Sequence, residues 1–366
     1  MNRLWWTQIK AVIRLEWKKT FFAKRGLWIY VVAAMPVALF TVYAVVTANQ
    51  QHQSANIARQ SQRAITRQEM LSIKPGMTRE EVIAILGKPP GDFQWTETRP
   101  TGPKTTEPIL REDFHYSDGL DNLYLGLENG KVQNINMQGM NNFGEDAILF
   151  AGVFQFFFLR LAIFFGCLGV FMNLFRGEVL DKSLHFYFLA PIRREVLMAG
   201  KFLAGLLATC TIFVTSEILQ TVAFVGHFNP HVRDLYLYQY HGLEHAAIYV
   251  GVTILACIGY GAFFLVAGML FRNPIIPAAA VLIWEGINPF LPAILKQFSV
   301  IYYLKSLCPV EIPVSPGTPG LFALLVSNAD PISPPLAIGG ILVVALIALF
   351  VSSVQVRRME INYTTE

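Results

Sequence analysis

Six long apolar stretches limit this chain to one solvent. They cover residues 27–47, 147–175, 202–226, 246–271, 275–295 and 336–356. A helix crossing the hydrocarbon core needs about 20 mostly apolar residues, and each stretch reaches that length. Hydrophobic residues make up 54% of the chain and charged residues 15%. Mean hydropathy is +0.44, far from the balance of a soluble domain. The expected class is therefore an α-helical membrane protein with six transmembrane helices. The fifth stretch is the least regular, because Pro277, Pro289 and Pro292 interrupt it and Glu285 lies inside it.

Basic residues in short loops orient such a chain. With the N-terminus inside, seven precede Gly26, five fall in residues 176–201, and Arg272, Arg357 and Arg358 bring the inner total to fifteen. The short outer loops hold three: Arg233, Lys296 and Lys305. Both termini are thus expected in the cytoplasm, and residues 48–146 outside. The net charge of +4 is explained by this bias. No basic-aromatic patch or helix-turn-helix pattern points to nucleic acid. Residues 1–26 lack the compact apolar core and small-residue cleavage site of a cleavable leader.

Before the first span, residues 2–25 predict an interfacial helix that lies among membrane lipids. Trp5, Trp6, Ile9, Val12 and Ile13 share one face, and Arg3, Lys10 and Arg14 gather beyond its edge. Glu16 falls on the apolar face and disagrees with that reading. Together, residues 1–47 form the interfacial helix and the first span.

Residues 48–146 change character. Residues 50–70 are polar and glutamine-rich, either a linker or an outward continuation of the first helix. Thr78 and Glu81 then make a capping box, and Val82, Ile83, Ile85 and Leu86 give the helix an apolar side. Gly87-Lys88-Pro89 stops it. Residues 112–116, 122–128 and 131–137 read as strands, and Asn129-Gly130 favours a type I′ hairpin. Residues 96–108, rich in threonine and proline, read as an inserted loop.

This region, residues 72–137, resembles the SmpA/OmlA/BamE-like domain of bacterial envelope lipoproteins. The resemblance rests on Ile73-Lys74-Pro75-Gly76-Met77-Thr78, Glu81-Val82, Leu86-Gly87-Lys88-Pro89 and Leu127-Glu128-Asn129-Gly130-Lys131-Val132. It implies a small α+β module that mediates contacts with a periplasmic partner and has no catalytic centre. It also implies a bacterial inner (plasma) membrane, with residues 48–146 in the periplasm. A lipidated cysteine upstream is missing; spans would do the anchoring.

Residues 176–201 join the second and third spans and read RGEVLDKSLHFYFLAPIRREVLMAGK. Glu178 and Lys182 stand four apart, acid first, the favourable helical order. Leu180, Leu184 and Tyr187 line one side. Helix is disfavoured at Ala190 by Pro191, and the Arg193-Arg194 pair follows. The segment either docks a partner or packs on the protein's own base. It resembles the cytoplasmic coupling-helix loop of type-2 ATP-binding-cassette transporter permeases. That resemblance carries the coupling role to Glu178, Leu180, Lys182, Leu184, Tyr187, Pro191, Arg193 and Arg194. It implies a homodimer or heterodimer of permeases, each resting on a separate ATPase subunit that binds ATP and Mg²⁺. Residues 147–366 would supply spans two to six.

Three charged residues fall within spans: Arg160, Glu217 and Glu285. Each should face protein or water, either as a structural pair, Arg160 with Glu217 or Glu285, or as a polar pathway. His227, His231, His241 and His245 form two i, i+4 pairs with zinc- or copper-type donors. Pro230 breaks the first pair and interfacial histidines are ordinarily solvated, so no metal is expected. The four cysteines show no paired spacing. Nor does the chain contain a G-x-x-x-x-G-K-[ST], G-x-S-x-G, H-E-x-x-H or C-x-x-C sequence, so it is expected to be no enzyme and to carry no cofactor. The expected function is the permease subunit of an exporter. The alternative is a non-transporting membrane adaptor whose outer domain docks an envelope assembly partner.

Overall fold

The computed structural model describes residues 2–22, 26–61, 63–100, 106–119, 121–139, 143–180, 187, 189, 192–271, 273, 275–313 and 332–358. The chain divides into two compact units. One comprises Met1–Phe40, Glu145–Ala223 and Tyr236–Glu366; the other comprises Thr41–Gly144 and Phe224–Leu235.

The first unit is helical, and the helices Leu27–Gln60, Phe143–Val153 and Pro230–Gln239 have residues in both units. Helix α1 (Asn2–Phe22) precedes α2 (Leu27–Gln60), which continues thirteen residues past the expected end of the first span at Thr47. The second apolar stretch is one long helical segment, Phe143–Phe175. It contains α5 (Phe143–Val153), a π-helix (Phe154–Ile163) and α6 (Phe164–Phe171), and α7 (Asn173–Leu180) follows. Then come α8 (Arg194–Gly226), α9 (Pro230–Gln239) and α10 (Gly242–Leu270).

Among the described residues, five helices are long and apolar enough to cross a membrane: Leu27–Gln60, Phe143–Phe175, Arg194–Gly226, Gly242–Leu270 and Pro334–Arg358. The fifth expected span is broken. Residues 275–295 form α11 (Ile275–Ile287), a 3₁₀ turn at Asn288–Phe290, and the start of α12 (Ala293–Lys296). The 13 residues of α11 extend about 20 Å at ~1.5 Å each, short of the ~30 Å hydrocarbon core. Pro289 and Pro292 remove donors and clash with preceding carbonyls, so the helix cannot continue. After it, α13 (Val300–Ser306) lies within the apolar piece at residues 298–307, and α14 (Pro334–Arg358) ends the described chain. The other expected outer piece, residues 321–326, lies outside the described residues.

Helix pairs pack closely where side chains are absent. A Cβ at Gly268 of α10 would stand 2.8 Å from the Met172 Cα, and one at Gly200 of α8 would stand 2.9 Å from Val12 of α1. Membrane helices lack a hydrophobic drive toward each other and rely on such small-residue approach.

The second unit holds the α+β module. Two short helices, α3 (Arg67–Leu71) and α4 (Arg79–Leu86), each begin with a complete capping box, Thr66 with Glu69 and Thr78 with Glu81. Of the two readings of residues 50–70, the outward continuation of the first helix holds as far as Gln60, where α2 ends, and α3 starts anew at Arg67. Four antiparallel strands follow in sequence order: β1 (Gly91–Pro100), β2 (Thr106–Ser117), β3 (Asp121–Glu128) and β4 (Lys131–Gly139).

The inserted loop expected at residues 96–108 is corrected. Thr96–Pro100 complete β1 and Thr106–Pro108 open β2, with residues 101–105 outside the described set. Threonine suits a pleated surface. Pro108 is tolerated because β3 pairs with β2 only from Arg111 onward, leaving one side of β2 unpaired at the proline. The Asn129-Gly130 turn has φ of 50° and 74°, the positive pair that a type I′ hairpin demands. Its carbonyl at Gly130 accepts from Arg79 N at 2.8 Å, and Val132 N donates to Met77 O at 2.9 Å. The helix-entry motif and the hairpin motif are therefore bonded to each other. Beneath them lies one core: Ile65, Met70, Ile73, Val82, Leu86, Phe114, Tyr116, Leu123, Leu125, Leu127 and Val132.

A self-contained core and satisfied caps predict that residues 64–139 expressed alone unfold cooperatively on heating. Thr78→Ala should lower stability by about 1 kcal/mol through loss of the cap. Burial holds the His115 imidazole below its ordinary range, despite its contact with Asn122. The unfolded chain then takes up this proton first, so stability falls as pH drops from about 6.5 through the lower folded value. His115→Asn should flatten that segment of a plot of melting temperature against pH.

Candidate functional site

Lys201 is the most fully buried cation among the described residues, with 0% side-chain exposure. Its Nζ donates to Glu16 Oε1 at 2.7 Å and to the Leu174 carbonyl at 3.0 Å. It also lies 2.8 Å from Glu178 Oε2. The two carboxylate side chains are 4% and 8% exposed. Lys19, on the rim, donates to Glu178 Oε1 at 3.3 Å and to Tyr187 Oη at 3.0 Å. Tyr187 in turn donates to Glu16 Oε1 at 3.0 Å, and Lys201 sits 4.7 Å from the centre of its ring. Two cations thus balance two anions. Such a cluster survives burial only because every charge has an opposite within bonding distance.

The cluster explains the misfit in α1. Val12 and Glu16 are buried on one side of the helix, whereas Trp6 is 60% exposed. The inward stripe therefore runs through Glu16, and the apolar face expected to include Trp6 is rotated. Residues Gly200 and Lys201 act as a pair: the glycine lets Val12 approach, and the lysine one position on meets Glu16 four positions on.

Burial is the main cause that raises the Glu178 carboxyl, with Lys201 opposing it. The Tyr187 phenol is likewise pushed up by burial, then by Glu16 and Glu178. It remains a proton donor throughout the physiological range.

Of the residues expected to meet a partner, Glu178 and Tyr187 are turned toward the chain's own α1 and α8. Leu180 closes α7. Lys182, Leu184 and Pro191 lie outside the described residues. Arg193 stands over the Trp5 ring, 5.3 Å from its centre. Arg194 Nη1 donates to the Arg357 carbonyl at 2.9 Å, and Arg357 Nε pairs with Glu195 Oε1 at 2.6 Å. The arginine pair thereby ties α8 to α1 and α14. Leu189 differs from all of these: it is 79% exposed.

Sequence reading missed Glu16, Lys19 and Leu189 as site residues, and Lys201 entered only within the Gly200-Lys201 pattern. The available signal was a carboxylate on an apolar helical face. A buried acid implies a buried base, and Lys201 was the lysine at the edge of a span.

The expected intramembrane pair does not form. Glu217 in α8 accepts from Gln220 Nε2 at 2.6 Å and Thr221 Oγ1 at 3.2 Å, both on its own helix. Glu285 in α11 accepts from Ser299 Oγ at 2.7 Å and from the Val300 and Ile301 amides at 3.0 Å each. It caps α13 from outside, in the manner of an N-cap carboxylate. No ion pair joins Arg160 to either acid among the described residues, and the Arg160 Nε is buried without a hydrogen bond.

The described histidines are engaged separately. His227 is buried, bonds through Nδ1 with the Phe224 carbonyl and packs 4.1 Å from the Phe228 ring. His241 pairs with Glu244 at 3.0 Å. His245 follows on α10, and nothing is described of the His231 side chain. Among the described residues no three His, Cys, Asp or Glu side chains come together as metal ligands do. Cys167, Cys210, Cys257 and Cys308 are free thiols.

Lys201→Met should strand the buried Glu16 carboxylate, leave Glu178 with only Lys19 on the rim, and cost about 3–5 kcal/mol. The triple change Glu16→Gln, Glu178→Gln and Lys201→Met removes all three charges and should recover most of that loss. Thermal unfolding in detergent compares the two, and an unchanged melting temperature for Lys201→Met alone would contradict the cluster.

No family model matches this chain, and no curated protein or solved structure is found similar to it, so its function has to be read from its own geometry.

Proposed function

We propose that this chain is the membrane subunit of an ATP-binding-cassette exporter of the type-2 permease class, driven by a separate ATPase that binds ATP and Mg²⁺. The observation that carries the reading is Leu189. An apolar side chain 79% exposed stands in a segment whose neighbours Tyr187, Arg193 and Arg194 are all engaged by the chain itself. Among the described residues of the segment, polar side chains anchor it and Leu189 is left for a partner. A push on Leu189 would pass through Tyr187 to Glu16 and Lys201, and so to α1 and α8 together. The charge cluster is the stiff joint such a transmission needs. In this reading both termini face the cytoplasm, residues 48–146 face the periplasm of a bacterial inner membrane, and a second permease copy completes the translocation path.

The rival is a non-transporting adaptor, favoured by the inward turn of Glu178 and Tyr187, which would otherwise be natural docking groups. Its α+β module, with a core of its own, would then hold the envelope partner.

The two readings separate on one variant. Leu189→Asp places a carboxylate on the proposed contact and should abolish co-purification of the ATPase while leaving the melting temperature of the isolated chain within error, because the side chain buries almost nothing here. Recovery of an ATPase with the unaltered chain but equally with Leu189→Asp would remove Leu189 from the contact. Recovery of none with either would favour the adaptor.

A further inference from the structure

Within the helical unit lies a cavity of about 810 Å³. Its walls are almost wholly apolar, built from Leu149, Val153, Phe156, Phe157, Leu161 and Leu282 among others. The ionisable side chains in its lining are Arg160, Tyr260 and Glu285. Their roles differ. Glu285 already accepts three hydrogen bonds, and its charge faces the N-terminus of α13, whose exposed amides offset it. Tyr260 is a neutral phenol. Arg160 has no acid within ion-pair distance among the described residues; the Glu285 charge acts on it only from farther off, and its Nε is buried and unbonded.

The backbone aims that arginine deliberately. Residues 152, 156, 160 and 164 all line the cavity. A four-residue repeat drifts around an α-helix, which needs only about 3.6 residues per turn. Winding of the wider i→i+5 kind drifts it back. The π-helix at Phe154–Ile163 therefore keeps this row on one line, with Arg160 among three otherwise uncharged positions. π-Helices are rare and concentrate at functional sites. Gly152, at one end of the row, has nothing within 4 Å of where a Cβ would stand, so the space there is real and open.

From this geometry we propose that the cavity binds an amphipathic anion: one acidic group, a phosphate or carboxylate, held by Arg160, with an acyl or alkyl chain along the phenylalanine and leucine walls. An apolar cavity with one cation answers both halves of such a molecule. A free inorganic anion would leave the walls unfilled, and a neutral lipid would leave the buried Arg160 Nε without a hydrogen bond, which is costly. Binding requires neither ATP nor a second protein, so it stands or falls separately from the exporter reading.

The test uses the full chain in phosphatidylcholine nanodiscs and cis-parinaric acid, a fluorescent fatty acid, as reporter. Dodecyl phosphate and laurate compete as the two acidic headgroups, dodecanol as the uncharged tail, and inorganic phosphate as the anion alone. Both amphipathic acids should displace the reporter, dodecanol at least about tenfold less well, and inorganic phosphate not at all. Arg160→Gln should weaken the acids about tenfold, the loss of one charge-assisted contact, and erase their advantage over dodecanol. Arg160→Lys should keep part of it. Gly152→Phe puts a ring into the open space at one end of the Arg160 row without a backbone clash and should weaken displacement by every competitor. An undiminished preference for acids in Arg160→Gln would overturn the proposal, as would displacement by inorganic phosphate. So would a Gly152→Phe variant that binds normally but changes oligomeric state, which would make the cavity an interface between copies.

Discussion

One ammonium group organises the base of the helical unit. Lys201 is excluded from solvent, and a lone charge so placed would cost several kcal/mol. It is kept by Glu16 from the N-terminal helix, Glu178 from the segment after the second long helix, and the Leu174 carbonyl. Three pieces of chain distant in sequence are thereby held at one point. The bare backbone of Gly200 makes the approach feasible and Tyr187 closes it. Such a joint is all or nothing. Removing one partner leaves the others uncompensated, so the three pieces move together or come apart.

The spans were legible because hydrocarbon admits few solutions. Apolar runs long enough to cross appear as helices in five places, and the exception, residues 275–295, fails where its prolines already stood in the sequence. Local chemistry was legible too. The Thr78 capping box, the Gly87 stop and the Asn129-Gly130 turn each depend on residues within a few positions of one another. Non-local pairing was not legible. Strand β1 escaped because its Gly-Asp start and Arg-Pro end resemble a loop until β2 is beside it. Glu16 looked like an error in an amphipathic pattern until Lys201 supplied the reason.

The charged residues in the apolar stretches show the same division. Sequence alone marked Arg160, Glu217 and Glu285 as needing partners, and suggested each other. The structure gives Glu217 neighbours on its own helix and gives Glu285 the start of α13. Arg160 is the one whose need the chain's own acids do not meet by direct pairing, and it faces the cavity. A burial pattern can say that a charge must be answered; only the fold says by what.

Glu285 and Glu16 also differ in when they are answered during synthesis. Every donor to Glu285 lies within 16 positions after it, so α11, its turns and α13 emerge from the ribosome almost together and can bond to one another at once. Glu16 waits for a lysine 185 positions later. Until that lysine is made, the N-terminal helix has every reason to rest among lipid headgroups, where a carboxylate stays hydrated. Docking of α1 is therefore a late step in the birth of this protein, and the charge cluster records its completion.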